Sequence, residues 1–163
     1  MPRIRVTFEK KGWMTFVNHM DLPTLFARAA RRAGLQQEFT QGFSPHPHIS
    51  LASPLAIGVE GWCEPAEFWF EGWDEGSLDK WNNNLPQGIK FLKWAEVDGP
   101  SLAKLATAAV YRFRGRGFAF DEASLGVLEE DVRKNGLLFS SSCDGESALL
   151  TVGGLERCGA GTL

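Results

Sequence analysis

The hydrophobic period of the chain switches between two residues and about 3.6, twice in the same order, and nothing else in the sequence limits the fold as much. Residues 3–8, RIRVTF, set Ile4, Val6 and Phe8 against polar neighbours, the alternation of a half-buried strand. Residues 21–35, DLPTLFARAARRAGL, carry Leu22, Leu25, Phe26, Ala29, Ala30 and Ala33 as one helical stripe. Asp21 is the expected N-cap, Pro23 sits in the first turn and Gly34 follows the last turn. MTFVNH, ahead of this helix, reads as a short extended stretch, and LQQEF, after it, as a second strand. HISLASPLAIG is extended and apolar until Pro54 breaks it. AEFWFEG, residues 66–72, reads as a strand, GSLDKWNNNLP as a short helix capped by Ser77, and IKFLKWAEV as a strand. Strand, helix, strand, strand, helix, strand is the α+β order of the ferredoxin-like, split βαβ unit.

A second pass follows. AAVYRFRGRGFAF alternates Val110, Arg112, Arg114 and Arg116 with Tyr111 and Phe113. DEASLGVLEEDVRKNG is a helix capped by Asp121, with Leu125, Leu128 and Val132 turned inward. LLFSSS and SALLTVG form a hairpin around Asp144-Gly145. This is a second ferredoxin-like half without its last helix and strand. The expected organisation is residues 1–98 as one half and 99–163 as another, packed as one body. Gly159 to Leu163 read as the start of a further element, so the chain is expected to be cut short of its natural end.

Charge is unevenly spread. Residues 1–50 hold seven Lys/Arg against three acids, a balance of +4, and the other 113 residues hold ten against seventeen, a balance of −7. A basic first third attracts polyanions such as RNA. Arg28, Arg31 and Arg32 also complement the dipole at the end of their helix, which explains them without a ligand. No apolar run approaches the ~18 residues of a membrane span, and the N-terminus lacks the apolar core of a signal peptide. The expected location is therefore the cytoplasm, with no membrane partner. Cys63, Cys143 and Cys158 fit neither a disulfide framework nor a metal clip and read as reduced thiols. With no CxxxCxxC motif, any iron–sulfur cluster belongs to another chain.

The candidate site is TQGFSPHPHIS, residues 40–50, which holds two of the three histidines. Pro45 and Pro47 fix the backbone around His46, and extended geometry would turn His46 and His48 the same way. His19 and Asp21, at the entry to the first helix, are candidates to lie nearby. One reading is a divalent-metal set of His19, Asp21, His46 and His48. Another is a general base, His46 or His19, in RNA cleavage. A third is a nucleotide grip in which Gln41, Phe43, His46 and His48 stack and hydrogen-bond, with Arg28, Arg31 and Arg32 beside them. Against these, Asp21 is accounted for as a cap and the prolines as shapers of a turn. Of the tryptophans, Trp69 and Trp94 fall in strand patterns and are expected in the core. Trp62 and Trp73 flank turns, among acids that would repel phosphate. YRFRGRG interleaves aromatic and basic residues as a strand tracking a nucleic-acid backbone would, and also as a strand with a solvated arginine face would.

VTFEKKGWMTFVNHMDL, ARRAGL and TQGFSPHPHISLASPLAIGVE together resemble the radical-SAM-linked family, a domain of unknown function found beside or fused to cobalamin-binding radical-SAM proteins. The resemblance is specific from Arg3 to about Glu60 and looser to about Arg114. The matching motif positions are His19, Asp21 and Leu22, then Gln41, Gly42, Phe43, Pro45, His46, Pro47, Ser50, Pro54 and Gly58. Members usually continue beyond the point where this chain stops. The resemblance implies an accessory binding module, not the radical enzyme, with a radical-SAM protein as partner and RNA as the presented molecule. The alternative is a small metal-dependent hydrolase or ribonuclease built on His19, Asp21, His46 and His48.

Overall fold

The computed structural model describes residues 1–155. They fall into two compact units, Met1–Ala103 and a second that begins at Lys104. The first unit contains β1 (Arg3–Lys10), α1 (Leu22–Arg32), β2 (Ile49–Leu51), β3 (Gly61–Trp69), α2 (Ser77–Asn82) and β4 (Ile89–Glu96). Its sheet runs β2-β3-β1-β4 with every neighbouring pair antiparallel. Because β3 is inserted between β1 and β2, this is the split βαβ order that the sequence leads one to expect.

The alternation in β1 sets the core. Ile4, Val6, Phe8 and also Lys10 point to the helix side and are buried. Phe8, Phe26, Phe68, Phe91 and Trp81 pack there mostly edge to face, with Phe8–Phe26 centroids 5.1 Å apart and Phe68–Trp81 centroids 4.7 Å apart. The Trp81 indole N–H is satisfied by the Phe26 carbonyl at 3.2 Å, which ties α2 to α1. Helix α1 ends in a Schellman motif. Gly34, at φ +74°, lets Leu35 N–H reach the Ala30 carbonyl at 2.9 Å and Gly34 N–H reach that of Arg31 at 3.1 Å.

Four local expectations are corrected. MTFVNH, residues 14–19, is not one extended stretch: it falls in two 3-10 turns, Gly12–Phe16 and His19–Asp21, and only Val17 and Asn18 between them are extended. Gly12 at φ +58° reverses the chain, the Thr15 hydroxyl donates to the Gly12 carbonyl at 2.7 Å, and Lys10 Nζ donates to Val17 O at 2.9 Å. Asp21 makes no cap bond, because its backbone is already helical as the second turn runs into α1. Asn18 accepts from Met20 N–H at 3.1 Å instead. LQQEF makes only isolated bridges, Gln37 with Phe70 and Phe39 with Pro47. Pro47 has no N–H with which to extend a ladder. Ser77, expected to cap α2, is its first residue, and its hydroxyl donates to Asp74 Oδ1 at 2.9 Å.

The face of the sheet away from the helices is crossed by residues 97–102. Arg3 donates to the carbonyls of Val97 and Gly99. Glu67, fully buried, accepts two N–H bonds from Arg5 at one oxygen, and its other oxygen accepts from Leu102 N–H at 3.3 Å. Leu102 opens a short helix, α3 (Leu102–Leu105).

The second unit contains β5 (Ala108–Arg114), α4 (Glu122–Asn135), β6 (Leu137–Cys143) and β7 (Ser147–Gly153), with sheet order β5-β7-β6. That repeats the arrangement of β1, β3 and β2. Asp121 and Ser124 form a reciprocal capping box on α4. Tyr111, Phe113, Leu125 and Leu128 pack around buried Val132, Ala148, Leu150 and Val152. The hairpin turn at Asp144-Gly145 has Gly145 at φ +84° and Asp144 Oδ1 accepting from the N–H groups of Glu146 and Ser147. Cys158 and the element expected at 159–163 lie outside the described residues. Among the described residues no helix is long and apolar enough to cross a membrane.

Candidate nucleotide groove

The segment after α1 doubles back on itself. Phe39 bridges Pro47, Thr40 N–H donates to His46 O at 2.8 Å, and Gly42 sits at φ +135° in the reversal. His46 is fixed inside this loop, its Nδ1 3.1 Å from the Thr40 hydroxyl and 3.2 Å from the Ser44 carbonyl. A carbonyl only accepts, so it favours the tautomer with the proton on Nδ1 and leaves Nε2 as an acceptor.

Between this loop and α1 lies a groove of about 740 Å³. One wall is the stripe of α1 that carries Thr24, Ala27, Arg28 and Arg31, residues three and four apart that share a helix face. The other wall is Phe39, His46, Pro47 and Ile49. Gln37 and Glu71 also border it. Arg28 and Arg31 are exposed, and among the described residues neither guanidinium has a hydrogen-bond or ion-pair partner. Arg3, Arg5 and Arg32 all do. The Gln37 side-chain nitrogen is buried without an acceptor among the described residues.

The structure thus brings Arg28, Arg31 and His46 together and leaves the other expected site residues apart. Arg32 turns away and donates to the Asn84 carbonyl at 2.7 Å. Gln41 and Phe43 are exposed at the loop tip and do not line the groove. His48 lies flat on Trp69, with ring centroids 3.7 Å apart and planes within 3°, and Arg3 approaches the same indole at 6.0 Å. The two imidazoles therefore have different surroundings despite the paired prolines. Trp69 stands on the face away from the helices, not in the core, while Trp73 packs against Phe70, Trp81 and Trp94.

His19, Asp21, His46 and His48 do not form one ligand set. Among the described residues no group of three or more His, Cys, Asp or Glu is gathered as a metal site requires. His19 faces a different cluster. Burial, and then the charge of Lys10, hold its imidazole below the usual range. Burial lowers Lys10 itself, opposed by Glu64, and burial raises Glu64, opposed by Lys10. Cys63 is exposed and Cys143 half-buried, both as free thiols.

Sequence reasoning missed Gln37, Phe39, Glu71 and the Lys10–Glu64 pair. A signal existed for all of these but Glu71. Leu35, Gln37 and Phe39 alternate with Gln36 and Glu38, and the period of two in β1 continues past Phe8 to Lys10.

No curated protein matches this chain. A family profile does, over residues 3–136, a span that runs from the first strand through α4 and takes in every residue of the groove. With most of its length matched, the chain belongs to the family described as an uncharacterized protein conserved in bacteria (DUF2344).

Proposed function

We propose that this protein is an accessory binding module that presents RNA to a radical-SAM protein. The observation that carries the RNA reading is the pair of guanidiniums, Arg28 and Arg31, unpartnered among the described residues, on one wall of a groove whose other wall is aromatic and apolar. Unpaired cations beside stacking surfaces suit a single-stranded nucleic acid, whose phosphates need charge and whose bases need flat apolar contacts. Gln41 and Phe43, exposed beyond the groove at the loop tip, extend the same surface. The radical-SAM link rests on the likeness of the 3–60 region to the radical-SAM-linked family. The chain itself has no three-cysteine cluster motif.

Two measurements test the proposal. Arg28→Ala with Arg31→Ala is expected to weaken binding of a single-stranded RNA, while Arg32→Ala, whose side chain is engaged with Asn84, is expected to do so far less. The protein is also expected to co-purify with a radical-SAM protein when expressed in its own cells. If the double variant binds RNA as tightly as wild type, the groove is not the contact surface.

A further inference from the structure

Resting on that reading, we infer that the groove takes one unpaired nucleotide, base and phosphate together, and not a stretch of helix. Its volume, about 740 Å³, lies within the roughly 300–1,000 Å³ of cavities that enclose small organic ligands. Double-stranded RNA is instead read along its surface, through 2′-hydroxyl and phosphate contacts spread over about 16 base pairs. A single short groove with two cations has neither the length nor the charge for that.

The lining divides as a nucleotide does. Arg28 and Arg31, one helical turn apart on α1, supply two forks of N–H donors with no acceptor among the described residues, the arrangement that suits a phosphate. Opposite them Phe39, about half exposed at 51%, and the His46 ring offer flat faces on which a base can stack. Gln37 brings to the same groove an amide nitrogen that is buried and, among the described residues, without an acceptor. A buried donor left unmade is costly, and an acceptor on a base edge is the kind of group that would relieve it. Glu71 at the border accepts only, which suits an exocyclic amine and disfavours a second phosphate. A duplex backbone needs none of these three features.

The same chemistry could arrive within an RNA strand or as a free nucleotide, so three probes are compared by fluorescence anisotropy and competition. They are a labelled hairpin with an adenine-rich loop, a fully paired duplex carrying the same number of phosphates, and AMP. The expected result is tight binding of the hairpin, at least tenfold weaker binding of the duplex, and weak competition by AMP. Phe39→Ala is expected to lower hairpin affinity about tenfold with an unchanged salt slope, since stacking contributes about 1–3 kcal/mol per base and involves no counterion. The Phe39 ring is half exposed and outside the core cluster, and folding of the variant is checked by its thermal transition. Duplex and hairpin binding alike would overturn the nucleotide inference and leave the RNA reading standing. AMP binding as tightly as the hairpin would uphold the nucleotide and remove the RNA reading. Binding of none of the three would remove both.

Discussion

The buried pair between Arg5 and Glu67 makes an uncommon prediction: a second substitution should restore stability lost to a first. Glu67 has no exposed surface, whereas the Arg5 side chain keeps 26% of its own. Two of the three N–H groups that Glu67 accepts come from Arg5, at 3.0 and 2.5 Å, and the third is Leu102 N–H. Arg5→Met keeps the aliphatic stem but leaves a buried carboxylate with one donor. Breaking a buried pair this way costs about 3–5 kcal/mol, and water following into the space Arg5 vacates places this case near ~3. Glu67→Met leaves Arg5 at a wet edge, still within 3.5 Å of the Pro100 carbonyl, and orphans only Leu102 N–H, about 1–2 kcal/mol. The double variant has no stranded charge and should resemble Glu67→Met. It should therefore be about 1–2 kcal/mol more stable than Arg5→Met alone, or roughly 4–16 °C in midpoint for a unit of this size. Urea unfolding followed by tryptophan fluorescence isolates the effect, because Trp13, Trp62, Trp69, Trp73, Trp81 and Trp94 all lie in the unit Met1–Ala103. A double variant less stable than Arg5→Met would refute the claim that the cost lies in the buried carboxylate.

Other consequences are simpler to test. His19 has its imidazole held below the usual 6.5, so its contribution to stability is complete above that pH and is lost as pH falls through the folded-state value. His19→Gln should flatten the loss of stability on acidification below pH 6.5, and urea midpoints across a pH series that run parallel for both proteins would contradict this. Gly126 stands inside α4 with open space where a Cβ would sit, so Gly126→Ala should stabilise that helix by about 1 kcal/mol, seen as slower amide exchange in α4. Gly34→Ala, with equally open space but φ +74°, should cost about 1 kcal/mol in urea unfolding, since it forces an L side chain into the left-handed region. Equal effects at the two glycines would show that conformation is not what distinguishes them.

Much of the fold is legible because local pattern and tertiary role agree. Ile4, Val6 and Phe8 alternate because one side of β1 faces α1, and the Leu22–Ala30 stripe repeats because one side of α1 faces that strand. The order of such segments then leaves few sheet topologies, and both units adopt the split arrangement. The chain between 11 and 21 was not legible. Its two 3-10 turns depend on the buried Lys10 amine reaching Val17 O, a contact invisible to propensity. In the site, Arg28 and Arg31 stand out only together with Arg32, as the basic end of one helix, and His46 as part of the His-Pro loop. The divergence of His48 was not legible, because it depends on Trp69, twenty-one residues later, being free on the outer face to stack with it. Phe39 and Gln37 were readable only as an alternation too short to separate from a loop.

The most direct measurement is the affinity of wild type and of Arg28→Ala with Arg31→Ala for one labelled single-stranded RNA across a series of salt concentrations. Each phosphate contact on a single strand contributes about 0.7 to the slope of log affinity against log salt. The double variant should bind more weakly at low salt, with a slope shallower by about 0.7, the share of the one phosphate that the two guanidiniums hold. Parallel lines for the two proteins, or no binding by either, would contradict the assignment of this groove to RNA.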